Sequence, residues 1–244
     1  MLEPTQGIVL RQVKYGDSSL IISVFTERFG LHAYMLKGIR SAKLKTNRAG
    51  LLQVCSLLDL IVDHRPGRQL QHIREFSPAY YYQKISEDIV RNAIAVFSAE
   101  VLGKLLPEGE TMEELFAFCQ EYFTALDQLP LQDLANFPIS FLIRCGRFLG
   151  YGITGAYSDE QPFLDAGEGA FCNKLPADAV PLMYDEARML DELSQIELLS
   201  ESASVKLSSA SRAQILEWYI RFLQLHTQHM GDIRSLTVLR ELLR

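Results

Sequence analysis

The 244 residues are 48% hydrophobic and 22% charged, a composition that gives a globular chain a sizeable core and excludes disordered and fibrous classes. Cys55, Cys119, Cys145 and Cys172 lie far apart with no CxxC pair, which excludes a disulfide framework and a complete four-cysteine zinc site. The net charge of −6 conceals halves of opposite sign: residues 1–80 carry 11 Lys and Arg against 6 Asp and Glu, and residues 81–244 carry 13 against 24. Such asymmetry points to a polyanionic ligand for the first half, or to its docking on an acidic surface.

From Gln6 to Leu36 the text reads as short antiparallel strands: GIVLRQV, a KYGDSS turn, LIISVFTERFG and LHAYML. Their β-branched and aromatic residues sit between Gly, Asp and Ser punctuation. In the last of these, alternation places Leu31 and Ala33 on one side and His32 and Tyr34 on the other. A cationic loop around Gly38 follows, carrying Lys37, Arg40, Lys43, Lys45 and Arg48, with no acidic residue between Arg28 and Leu58. Then come LLQVCSLLDLIVD, an Arg65-Pro66-Gly67-Arg68 turn that closes a hairpin, and QLQHIREFSPAYYY. About five strands in about 80 residues is the size of a small Greek-key barrel of the OB type.

After Pro78 the period lengthens to three and four residues. Ile85, Ile89, Ala93, Val96, Phe97, Val101, Leu102 and Leu105 predict a helix from Ser86 to Leu106. Thr111 to Glu114 fits a capping box for a second helix with Leu115, Phe118, Cys119, Tyr122, Phe123 and Leu126 inward. A third is predicted from about Leu131 to Leu149, with Pro138 implying a kink or break. Residues 150–181 read as an irregular insert, which at this length suggests function or the loss of one. Helices from Asp185 to Leu199, Ser209 to about His229 and Ser235 to Leu243 complete the chain. The expected fold class is α+β: an OB-type barrel over 1–80 and a helical domain over 81–244, with the insert at about 151–182.

Lys and Arg neutralise phosphate and supply most non-specific affinity for nucleic acid, and single-strand binders add aromatic faces for bases. The expected DNA contacts are Lys37, Arg40, Lys43, Lys45 and Arg48, with Arg11 and Lys14 adding to the same surface and Tyr34 placed to stack; Phe29 reads as core. His226 and His229 have a chelating spacing without a third ligand, so they read as a helix C-terminal cap rather than a metal site. No phosphate-binding glycine loop, nucleophile elbow or paired-carboxylate motif is present, so no enzyme and no cofactor are expected. With no signal-like N-terminus and no apolar run of about 20 residues, the protein is expected in the cytoplasm, away from membranes.

The text GIVLRQVKYGDSSLIISVFTERFGLHAYMLKGIR, residues 7–40, resembles the opening of the DNA repair and recombination mediator family RecO: GIVL, a YGDS turn, a strand ending in Phe-Thr, and a glycine followed by Lys37-Gly38-x-Arg40. Residues 231–243, GDIRSLTVLRELL, are similar to that family's ending. The resemblance implies an OB fold that binds single- and double-stranded DNA and a helical domain. It implies strand annealing and recombinase loading on DNA coated by single-strand binding protein. The implied partners are RecR and the acidic, apolar C-terminal tail of the single-strand binding protein. That tail needs an apolar pocket beside a cation; Arg91, Arg144 and Arg147 are the candidates, because cations are scarce in the acidic half.

Many members of that family carry two CxxC pairs in the insert. Here LDAGEGAFCNKL keeps only Cys172, and one thiolate cannot hold a tetrahedral zinc, so no metal and a packed insert are expected. An RNA-binding OB module and a protein scaffold without nucleic-acid affinity stay open beside the DNA reading.

Overall fold

The computed structural model describes residues 2–39, 48–176, 181–228 and 230–243. It contains two compact units, Met1–Glu87 with Ser98–Asp127 and Asp88–Phe97 with Gln128–Arg244.

The first unit is built on strands β1 (Leu2–Tyr15), β2 (Ser19–Thr26), β3 (Gly30–Leu36), β4 (Leu57–Asp63) and β5 (Leu70–Pro78). They close in the order β1-β2-β3-β5-β4, with β4 pairing back to β1. All pairs are antiparallel except β3 with β5, where Met35 lies opposite His72. This is the OB-type barrel that the short alternating strands predict. Alternation turns Leu20, Ile22 and Val24 of β2 inward to meet Leu58, Leu60 and Val62 of β4 and Ile73 and Phe76 of β5. Gly7 is required where the walls come closest: a Cβ there would lie 2.6 Å from Val24 and 2.8 Å from Leu60.

Tyr34 corrects the expectation for β3. It pairs with Ile22 and is fully buried in this core, because the inward side of β3 is the side of Tyr34 and Leu36. A ring offers more area to bury than its hydroxyl costs to desolvate, so the tyrosine is a core residue. Among the described residues its hydroxyl has no hydrogen-bond partner. Burial raises its pKa to about 12, with the nearby Thr26 side chain opposing outside hydrogen-bonding geometry.

Helices α1 (Ile89–Leu105) and α2 (Glu113–Gln128) follow. Helix α1 starts three residues later than its apolar stripe predicts because the Asp88 carboxylate accepts the amides of Val90 and Arg91, both at 2.9 Å, as an N-cap does. The inward residues of α2 are those expected, joined by Phe116 and Asp127. Thr111 forms no capping box; its hydroxyl donates to the Arg28 carbonyl at 3.2 Å. Phe116 packs edge-on against Phe25 of β2 at 5.5 Å, so α2 covers the outer barrel face at its Ile8, Phe25 and Leu31 end.

In the second unit, α3 (Phe137–Phe148) carries Pro138 in its first turn. There the missing amide costs nothing and no kink results; a separate 3-10 turn occupies Leu131–Asp133. The insert is ordered by a small sheet of β6 (Phe163–Asp165), β7 (Ala170–Cys172) and β8 (Leu182–Met183) in the order β7-β6-β8. Asp165 Oδ1 accepts the amides of Gly167 and Glu168 and so fixes the β6–β7 turn. Leu164, Phe171 and Leu182 are buried. Among the described residues no three His, Cys, Asp or Glu side chains gather as metal ligands. Helices α4 (Tyr184–Gln195), α5 (Ser209–His226) and α6 (Ser235–Leu242) complete the unit. Helix α4 ends four residues before the predicted Leu199, which instead opens a 3-10 segment. No helix among the described residues is long and apolar enough to cross a membrane.

Candidate nucleic-acid interface

Beyond the end covered by α2, no other described element of the first unit lies on the outer face of the barrel, and Arg11, Val13 and Tyr15 there are exposed. The β1–β2 register pairs Arg11 with Ser23 and Val13 with Ile21, and the next register pairs Ser23 with Ala33 and Ile21 with Met35. The parallel pairing continues the row from Met35 to His72. Side chains alternate, so Arg11, Val13 and Tyr15 share this face with Met35 and His72. Two residues past Met35 and His72 stand Lys37 and Arg74, both exposed.

The charge of this face is legible in its titrating groups. Burial first, then the cations of Arg68, Lys37 and Arg74, hold the His72 imidazole below its ordinary range. Asp63 is held below the usual carboxylate range by hydrogen bonds from Arg74 at 3.0 Å and Arg65 at 3.4 Å. Arg65 and Arg74 are thus partly neutralised. Among the described residues Arg11, Lys14, Lys37 and Arg68 have no ion-pair partner.

The expected residues divide accordingly. Arg11 and Lys37 lie on the open face. Lys14 is exposed but belongs to the opposite side of β1 from Arg11, since three residues separate them in an alternating strand. Arg40, Lys43 and Lys45 lie outside the described residues, and of Arg48 only the backbone is described, opening the 3-10 turn Arg48–Leu52. Gly38, with φ of +69°, turns the chain out of β3 into that segment. Phe29 is half-buried and stacks on His64 at 4.2 Å, and His32 lies 5.1 Å from His64. Tyr34 is removed from the exposed aromatics; Tyr15, 55% exposed, is the aromatic the open face offers.

No pattern in the sequence singles out Arg68, His72 and Arg74. The Arg65-Pro66-Gly67-Arg68 turn is legible in the sequence, but its placement beside Lys37 depends on the parallel pairing of β3 with β5, which no local pattern announces.

In the second unit the three arginines considered for a partner are engaged internally. Arg91 is 4% exposed and donates to the Leu129 carbonyl at 2.7 Å, which corrects its reading as a surface cation. Arg144 and Arg147 donate to the carbonyls of Glu197 and Ser194. Those carbonyls lie at or beyond the end of α4, where unpaired acceptors attract guanidinium groups. His226 Nε2 lies 3.0 Å from the Ala166 carbonyl at the end of α5; His229 lies outside the described residues.

A closed five-stranded barrel with a cationic outer face, followed by helices, defines an OB-type protein of the mixed α+β class. Residues 1–82 match the N-terminal domain of recombination protein O and residues 86–236 match its C-terminal domain. The chain is similar over 99% of both lengths to DNA repair protein RecO of Christiangramia forsetii, at 28% identity, and of Phocaeicola vulgatus, at 30%. The same protein of Bacteroides fragilis is also 30% identical over 99% of both chains. The chain belongs to the RecO family of DNA repair proteins.

Proposed function

We propose that the protein is a non-enzymatic recombination mediator that binds single- and double-stranded DNA through its barrel domain, residues 1–80, in the cytoplasm. The carrying observation is the set of unpaired cations Arg11, Lys37 and Arg68 on or beside the open face, where the chain enters the basic segment containing Arg40, Lys43, Lys45 and Arg48. Phosphate is the ligand such a set accommodates at least cost, because no internal carboxylate must be displaced. Tyr15 and His72 offer ring faces beside those cations.

In this reading the DNA held on the barrel is annealed to a complementary strand or passed to recombinase on DNA coated by single-strand binding protein. RecR and the acidic tail of the single-strand binding protein are the partners, and the helical domain, residues 81–244, receives the tail. Membership of the family supports these roles.

The test is binding of labelled single- and double-stranded oligonucleotides across a salt series. Affinity is expected to fall steeply with salt, and Lys43→Glu with Lys45→Glu to weaken binding and flatten the slope. Retained binding in that double variant moves the site off the basic segment. Equal or better competition by the matched RNA strand reassigns the barrel to RNA.

A further inference from the structure

Strand β1 is 14 residues long, but β4 pairs only with Leu2–Ile8, and one further contact, between Val9 and the Cys55–Ser56 segment, ends the seam. Among the described residues, Arg11 to Tyr15 of β1 bond to β2 on one side and to no strand on the other, and all five are exposed. The bulge between Val9 and Arg11 sets which groups face outward. Val9 exchanges hydrogen bonds with Cys55 and Ser56, so its partner Val24 is turned toward β3. By the alternation of antiparallel ladders, Ile22 and Leu20 are turned the same way. Their partners Gln12 and Lys14 therefore direct backbone N–H and C=O groups to the open edge, while Arg11, Val13 and Tyr15 bond to β2.

We propose that this edge pairs antiparallel with the same edge of a second copy of the chain, about a two-fold axis at Val13. An unpaired edge is a template for strand addition, and one register of this edge matches both of its outward residues, Gln12 and Lys14, at once. With Val13 opposite Val13, Gln12 lies opposite Lys14 and Lys14 opposite Gln12, so each outward N–H and C=O meets its counterpart. The valines form a non-hydrogen-bonded pair, the closer kind, with Cα atoms about 4.5 Å apart. Val13 is 44% exposed and Tyr15 55% exposed on one face, and the same register brings Arg11 of each copy over Tyr15 of the other, a cation–π arrangement. Shifting the register by one residue sets Arg11 against Lys14 and loses the backbone match. The bulge and Lys14 are devices that discourage indiscriminate pairing, and the Val13-centred register is the pairing they permit. A short edge buries less than the roughly 1,200 Å² of stable complexes, so the dimer is weak and concentration-dependent. It continues the open outer face of one barrel into the next, and it does not depend on DNA.

Sedimentation of the full chain over a wide concentration range, without DNA, is the test. A monomer–dimer equilibrium is expected that salt leaves unchanged or strengthens, because the two Lys14 side chains lie diagonally across the axis on one face and salt screens their repulsion; DNA binding has the opposite salt dependence. Gln12→Pro removes only an edge-facing N–H, which edge strands tolerate, and is expected to weaken association roughly tenfold or more. Val13→Lys places like charges on the axis and serves if the proline variant misfolds. Val13→Cys is expected to form an intermolecular disulfide under mild oxidation, the Cβ atoms being in range, while Lys14→Cys and the parent chain do not. A chain monomeric at every concentration, association untouched by Gln12→Pro and Val13→Lys, or equal cross-linking at positions 13 and 14 would each overturn the proposal.

Discussion

The carboxylate of Asp127 in α2 accepts the backbone amide of Lys84 at 2.7 Å. Gln83 and Ile85 donate to the same carboxylate at 3.1 and 2.9 Å, so one buried side chain holds three consecutive amides of the segment that leaves the barrel. Asp127→Ala strands those donors. Hydrogen bonds to a charged group are worth about 1.5–3 kcal/mol each, and a loss of about 3 kcal/mol or more in urea unfolding is expected. A loss below about 1 kcal/mol means that water replaces the carboxylate.

Tyr34→Phe separates a core role from a stacking role. The hydroxyl is buried without a partner, so its removal is expected to leave stability unchanged or raise it by up to about 1 kcal/mol, with oligonucleotide affinity unaltered. A drop in affinity with the fold intact would return Tyr34 to the binding surface.

Gly30 is held at φ +69°, and a Cβ there would collide with the Glu110 carbonyl. Gly30→Ala is expected to cost at least about 2 kcal/mol, read from the denaturation midpoint. Gly16→Ala, also at positive φ but with nothing within 4 Å, pays the backbone strain alone and is expected to cost less.

His32, His64 and His72 all titrate below their ordinary value of 6.5, burial being the first cause in each. The folded chain therefore binds fewer protons than the unfolded chain just below that value, and stability rises with pH there. Stability is complete above 6.5 and is lost as pH falls through the folded-state values. The melting temperature is expected to be lower at about pH 5.5 than at about pH 7.5, with a smaller difference in His64→Asn. A melting temperature that holds steady or rises on acidification contradicts this.

Charge reversal at Lys37 and Arg68 probes the open face apart from the basic segment. Each is expected to weaken oligonucleotide binding across sequences and reduce the salt slope by about one, while Glu75→Lys, on the acidic groove with Glu27 and Asp59, has little effect. A response to Glu75→Lys equal in size and opposite in sign to the other two would show that only net charge matters.

The barrel was legible because its strands alternate and are punctuated by Gly, Asp and Pro, and the helices because their stripes recur at three and four residues. The errors have local causes. Alternation alone sets Tyr34 with His32 on the polar side, yet the even-numbered side of β3 is the inward one, and only the Ile22 pairing reveals that. Helix α1 begins at Ile89 because Asp88 caps it, although Ile85 fits the stripe; Ile85 is buried by the Asp127 clasp. Lys37 was found within the cationic run, while Arg68 and Arg74 reach it through pairing between β3 and β5, distant in sequence. Nothing local in the sequence distinguishes Arg91 from a surface cation, because its carbonyl partner, Leu129, lies 38 residues away.

The first unit takes Ser98–Asp127 into itself after the chain has visited the second unit at Asp88–Phe97. A ribosome that has released 87 residues has delivered all five strands but neither the Phe116 ring that covers Phe25 nor the Asp127 carboxylate that clasps Lys84. At about 5–20 residues per second, the nascent barrel waits several seconds with its Ile8, Phe25 and Leu31 end bare. Rare codons between positions 88 and 127 would lengthen that exposure, and chaperone contact with the growing chain should be greatest over that interval.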